Sequence, residues 1–144
     1  MHWNTLITDS AKLGDFSNTF ALFEKIQGDD RIHIYGPAFV ALLKLCIKHR
    51  NPDAGSRIHA EILRRGLLKI DHHVGSALVD MYAKCGLLAT AQQVFDMLPH
   101  RNVVSWTTLI TGYVEAGHGE SAISLFYELQ FEAVAVDAVT LVCG

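Results

Sequence analysis

The sequence has little proline, little cysteine and no long apolar run, and each scarcity excludes something. Three prolines in 144 residues are too few for a linker-rich or polyproline chain. Cys46, Cys85 and Cys143 contain no CxxC pair and cannot all pair with one another, so they read as reduced thiols in a reducing compartment. Polar residues interrupt the apolar ones every few positions, and no stretch approaches the ~20 residues that span a bilayer. No membrane partner is therefore expected. The start carries neither a secretory apolar segment nor an Arg/Ser-rich transit segment. Gly112, Gly117 and Gly119 lie across an expected helix end and do not form a phosphate-cradling loop. A net charge of −3 argues against a uniformly basic coat but leaves room for a local basic stripe.

Catalytic and metal constellations are also missing. His72 and His73 are adjacent, so on a helix they point in different directions. Cys46 and Cys85 suit small apolar filler positions rather than a zinc site. Ser56 and His59 could touch at i, i+3, but no third group supplies an orienting acid or an oxyanion hole. Asp29-Asp30 reads as a solvated turn. No enzyme, no cofactor and no metal is expected.

What is present is a repeat. Trp3-Asn4-Thr5-Leu6-Ile7-Thr8 returns 103 residues later as Trp106-Thr107-Thr108-Leu109-Ile110-Thr111. Weaker copies start at Phe39 and Gly75, so the anchors fall 36, 36 and 31 residues apart. The ladder continues through Leu6, Leu42, Leu78, Leu109 and then Ser10, Cys46, Tyr82, Tyr113. A turn position reads Gly14, Arg50, Gly86, Gly117. A small residue recurs at Thr19, Gly55, Ala91, Ala122, and an aromatic ring four on at Phe23, His59, Phe95, Phe126. His59 thus holds a core position. Trp106, Leu109, Ile110 and Tyr113 sit at i, i+3, i+4, i+7, which is helical spacing. Gly117 ends that helix, because glycine enters the left-handed conformation without a Cβ penalty. Each unit is a helix pair that cannot bury its faces alone. The expected fold is therefore all-α, an α-α superhelical solenoid of stacked helix-turn-helix repeats.

Units of this length with this ladder resemble the pentatricopeptide repeat family, over essentially the whole chain. The segments WTTLITGYVEAGHGESAISLFYEL and GSALVDMYAKCGLLATAQQVFDMLPHRNVVSW are similar to its plant members, and the alternating lengths resemble the subfamily that rotates standard, long and short repeats. On that resemblance residues 1–35 are a standard repeat missing its first residue, 36–71 a long repeat with IHAEIL at Ile58–Leu63, 72–102 a short repeat, 103–137 a standard repeat and 138–144 the start of another long one. The 34-residue tetratricopeptide family is the nearest relative in length, but its Trp and Pro positions do not match.

The resemblance implies sequence-specific binding of single-stranded RNA, one base per repeat, in organellar RNA processing, editing or stabilisation. The fifth and last residues of a repeat would read the base and the second would pack on it. Carried onto this chain, the readers are Asn4 with Tyr35, Val40 with Asp71, Ser76 with Asn102, and Thr107 with Asp137. The packing residues are Pro37, His73 and Val104. A carboxylate at Asp137 matches the donors of guanine, and the Asn102 carboxamide suits adenine. Valine at Val40 cannot discriminate, and Asn4 leans toward a pyrimidine. The implied register is pyrimidine, any base, A, G.

Residues 36–71 hold seven basic residues against three acidic, whereas the rest of the chain holds five against twelve. Lys44, Lys48 and Arg50 are the phosphate-attracting candidates, while Arg64 and Arg65 read as a solvated helix face. The family implies a mitochondrial or chloroplast location and protein partners in a processing or editing complex. Its plant members often carry a deaminase-like domain with a His-x-Glu and CxxC signature, which this chain lacks. The alternative reading is a non-enzymatic protein–protein adaptor that uses the concave face of the solenoid. Exposed end faces carrying Leu141, Val142 and Cys143 would favour end-to-end self-association.

Overall fold

The computed structural model describes residues 2–99 and 101–143, with side chains through residue 132. Helices follow one another in pairs: α1 (Trp3–Lys12) with α2 (Phe16–Ile26), α3 (Gly36–Lys48) with α4 (Pro52–Arg64), then a single turn α5 (Leu67–Ile70), α6 (His72–Lys84) with α7 (Leu88–Met97), and α8 (Val103–Glu115) with α9 (Gly119–Cys143). Among the described residues there is no strand, and no helix is long and apolar enough to cross a membrane. The fold is the expected stack of helical hairpins.

The turn inside each hairpin has one design. Gly14, Gly86 and Gly117 are left-handed with φ of 79°, 85° and 84°, and Arg50 takes the same role at φ 48°. One residue beyond, the amides of Asp15, Asn51, Leu87 and His118 donate back to the carbonyls of Ser10, Cys46, Tyr82 and Tyr113 at 2.8–3.3 Å. This closes the end of each first helix in a Schellman arrangement. Asp15 and Asn51 then cap the helices that follow, accepting from the amides of Asn18 and Ala54 at 3.1 Å.

Most of the expected ladder forms the core, with Leu6 and Phe126 as exposed exceptions. Ile7, Phe23, Leu42, Leu43, Ile58, Leu78, Val79, Phe95 and Leu109 are all buried, as are the small residues Thr19, Gly55, Ala91 and Ala122. At Gly55 a Cβ would run into the Met81 side chain, so the missing methyl is what lets α4 approach α6. Repeat-to-repeat contact runs through the first helices: α1 packs on α3, α3 on α6 and α6 on α8. Second helices of neighbouring repeats barely meet, which makes the first-helix row the inner layer of the solenoid.

Two features depart from the sequence reading. Arg64 and Arg65 are not a solvated face. Both bind Glu61, whose carboxylate is almost wholly buried and also accepts the Gly28 amide at 3.0 Å. Arg65 donates onward to the carbonyls of Ile26, Asp29 and Ile32, and Arg64 pairs with Asp30. Together they tie the long repeat to the α2–α3 connection. Burial alone would raise the Glu61 pKa, but the two guanidiniums and the amide overcome it and hold the carboxyl at about 2. The second departure is α9, which runs unbroken through the boundary expected at residue 137. Left-handed Gly28 and Gly66 follow α2 and α4, and Pro99 follows α7, whereas residues 120–143 contain neither Gly nor Pro.

Candidate functional site

The inner layer carries a trough. Between α1 and α3 lies a groove of about 580 Å³ with an apolar floor of Ala11, Val40, Ala41 and Leu45. A second of about 370 Å³ runs between α3, α6 and α8 past Val40, His73, Ser76 and Val104. A third of about 270 Å³ opens at the start of α1 beside Asn4, Tyr35 and Pro37. Neighbouring grooves share Pro37 at one junction and Val40, Lys44 and His73 at the other. The three packing residues expected from sequence, Pro37, His73 and Val104, all line the trough and are exposed.

Three of the four reader pairs are brought together, and the polar side-chain atoms of Asn4, Asp71, Ser76 and Asn102 are already engaged. In the short repeat Asn102 caps α8: its Oδ1 accepts the Ser105 amide at 2.9 Å and the Ser76 hydroxyl at 3.1 Å, and the Ser105 hydroxyl oxygen lies 3.1 Å from it. The atom facing a donating amide must be the oxygen, so the Asn102 Nδ2 points away. It makes no hydrogen bond among the described residues. Ser76 is only 7% exposed, and its hydroxyl also meets that of Ser105 at 2.8 Å. This corrects the expectation that Ser76 and both ends of the carboxamide face a base. The two N–H donors of Nδ2 are left for that purpose.

In the long repeat Asp71 and Val40 border the same groove. Asp71 Oδ1 caps α6 by accepting the His73 amide at 3.0 Å, and its other oxygen rests against Gly36, where a side chain would not fit. The carboxylate thus faces the positive ends of α6 and α3. In the first repeat Tyr35 offers no side-chain cap to α3. Asn4 instead braces the chain entering α3, accepting the Tyr35 amide at 2.7 Å and donating to the His33 carbonyl at 2.9 Å. In the fourth repeat Thr107 is exposed on α8, and the Asp137 side chain lies outside the described residues, as do those of Leu141, Val142 and Cys143.

The positive charge is arranged more regularly than expected. Lys12, Lys48 and Lys84 each occupy the last turn of a first helix, 36 residues apart. Glu115 takes the corresponding place in α8. Lys12, Lys44 and Lys48 rim the largest groove and form no ion pair among the described residues, whereas Lys84 pairs with Asp80 at 3.1 Å. Arg50 sits at the α3–α4 turn and lines none of these grooves. Lys12, Lys84 and Ser105 escaped the sequence reading. The first two were visible as a ladder at the repeat spacing, but Ser105 gave no signal, because its partners lie in the preceding repeat.

His59 and Ser56 do come together, through a third residue: the Tyr82 hydroxyl lies 2.9 Å from His59 Nδ1 and 3.3 Å from the Ser56 hydroxyl. Burial lowers the His59 pKa and raises that of Tyr82, a neutral network that cements α4 to α6. Cys46 is buried and its thiol is pushed up to about 12, as an unreactive filler would be. Among the described residues no cluster of His, Cys, Asp or Glu could hold a metal ion.

Comparison with known proteins agrees with the helical ladder. The profile of the PPR repeat family matches residues 101–143, and that of the PPR repeat matches 1–30 and 76–103, together more than half of the chain. Pentatricopeptide repeat-containing protein DOT4, chloroplastic, of Arabidopsis thaliana is 34% identical over 97% of this chain, which covers 16% of that protein. A second chloroplastic pentatricopeptide repeat-containing protein of the same plant is 34% identical over 96% of the chain, covering 26% of its own length. A mitochondrial one is 41% identical over 70% of the chain and is covered to 13%. The chain spans between 13% and 26% of the length of these relatives.

Proposed function

The chain belongs to the pentatricopeptide repeat family, and from that premise we propose that its inner trough binds single-stranded RNA, one base per repeat, within an organellar processing, editing or stabilisation pathway. The observation that carries this reading is the alignment, along one trough, of the exposed packing residues Pro37, His73 and Val104 with the reader residues Asn4, Tyr35, Val40, Asp71 and Ser76 and with Lys12, Lys44 and Lys48, which form no ion pair among the described residues. Apolar floors suit base faces, and the lysines suit the phosphates that link them. The chloroplastic and mitochondrial relatives support an organellar location.

The proposed register is pyrimidine, any base, A, G. In the first repeat Asn4 keeps one N–H for the base. In the second, Val40 adds only contact surface. In the third, the Asn102 Nδ2 donates to a ring nitrogen that carries a lone pair, as adenine N1 does and guanine N1 does not. In the fourth, Thr107 and Asp137 accept from guanine. The experiment is selection of randomised short RNAs by the purified chain. Adjacent A-G steps are expected to be enriched. Asp137→Asn should turn the G preference toward A, and Thr107→Ala should weaken binding. No enrichment, with both variants behaving as wild type, would favour the adaptor reading.

A further inference from the structure

A glycine opens α3 although nothing in the backbone asks for one. Gly36 is a first-turn helical residue, not one of the left-handed glycines, and it is buried. What it provides is space. A Cβ there would lie 2.9 Å from the Asp71 Cγ, closer still to Oδ2, and 3.3 Å from a Val74 methyl. The Asp71 carboxylate therefore fills the place of the missing side chain. Its Oδ1 is held by the His73 amide at 3.0 Å, and its Oδ2 lies over the start of α3, a helix that Tyr35 leaves without a side-chain cap. The amides of a first turn favour a negative charge in that place. The residues that open α6 and α8, His72 and Val103, both carry side chains.

We propose, on the reading that the trough binds RNA, that Gly36 is a specificity-determining residue: the room it leaves for Asp71 against α3 keeps the long repeat from reading its base. Val40 has no polar side-chain atom, so Asp71 is the member of that pair able to hydrogen-bond a base. Drawn back onto α3, its carboxylate is withheld, and the base meets only the apolar floor. One methyl group reverses the arrangement. The far end of an aspartate turns readily about χ2, and Asp71 also lines the groove of about 580 Å³. A Cβ at residue 36 thus displaces the carboxylate into the groove beside Val40. There it accepts from a base with a ring N–H on its pairing edge, guanine at N1 or uracil at N3. It repels the lone pair that adenine and cytosine present instead.

Four short RNAs reading pyrimidine, N, A, G, with N each base in turn, test this by fluorescence anisotropy. Wild type should bind all four alike. Asp71→Ala loses the α6 cap but should likewise treat the four alike. Gly36→Ala should bind the G and U forms about tenfold more tightly than the A and C forms, the worth of one hydrogen bond to a charged acceptor. Adding Asp71→Ala to Gly36→Ala should erase that preference. An equal loss for all four RNAs in Gly36→Ala is what a merely structural glycine gives, and it overturns the inference. So does a G or U preference in wild type that Asp71→Ala removes, a result that stands even should Gly36→Ala fail to fold. Wild type that binds none of the RNAs overturns the binding reading and this inference with it. Wild type that keeps its A and G preferences at the next two bases, while Gly36→Ala gains none at N, overturns this inference alone.

Discussion

The Ser76 hydroxyl donates to Asn102 Oδ1 at 3.1 Å, joining the fifth and last residues of the short repeat across the start of α8. The same oxygen caps that helix. Asn102 is therefore a structural cap through its oxygen, while its Nδ2 makes no hydrogen bond among the described residues.

That division predicts the effect of changing one end alone. Asn102→Asp keeps the capping oxygen and replaces the donor with an acceptor. Stability should stay close to wild type, because aspartate caps as well as asparagine. Preference at that base should swing from A toward G by about tenfold, the worth of one exchanged hydrogen bond. Competition between two oligoribonucleotides differing at that base checks it. Asn102→Ala should instead cost about 1–2 kcal/mol of folding stability in a urea titration.

The lysine ladder sets the salt dependence of binding. Lys12→Gln and Lys48→Gln should each lower the slope of log K against log salt by about 0.7, as expected for one phosphate contact on a single strand. Lys84→Gln should change it less, because Asp80 already occupies that ammonium. Arg50→Gln should leave the slope unchanged, since Arg50 lies outside the grooves. Fluorescence anisotropy at several salt concentrations reads all four.

Arg50 occupies a left-handed turn that the other three repeats give to glycine. Arg50→Gly should raise stability by about 1 kcal/mol, the cost of holding a Cβ residue in that conformation. The denaturation midpoint should rise without a change in slope.

Glu61 makes stability pH-dependent. Its carboxyl ionises at about 2 in the folded chain against an ordinary 4.5, so its contribution is complete above about pH 4.5 and is lost as pH falls toward 2. The loss amounts to about 3 kcal/mol. His59, held below 6.5 by burial, adds an earlier loss as pH falls through that value, because the unfolded chain takes up the proton first. Glu61→Gln should remove the steep segment between pH 4.5 and 2 in chemical denaturation series, and should weaken the chain at neutral pH.

Which features could be read from sequence follows from the range of the interactions. The hairpin turns were legible because a turn residue recurs once in each repeat, at Gly14, Arg50, Gly86 and Gly117, and even Arg50 was placed by spacing alone. The buried faces were legible because Leu42, Leu78 and Leu109 sit in one register. The pairing of Ser76 with Asn102 followed from the family resemblance, but the occupation of their atoms did not, because it depends on Ser105 reaching back across a repeat. The Glu61–Arg64–Arg65 clamp was missed for a similar reason: its partners at Gly28 and Asp30 lie more than 30 residues away, and a run of charges looks the same whether solvated or locked. The turn α5 carries no periodic signature at four residues.

The central claim is that RNA lies along the first-helix trough, and amide chemical-shift mapping of the labelled chain with a short A-G-containing oligoribonucleotide tests it most directly. Shifts should concentrate around Val40, Lys44, His73 and Val104, and leave the outer faces of α2, α4 and α7 unmoved. Shifts confined to those outer helices, or none at saturating RNA, would contradict it.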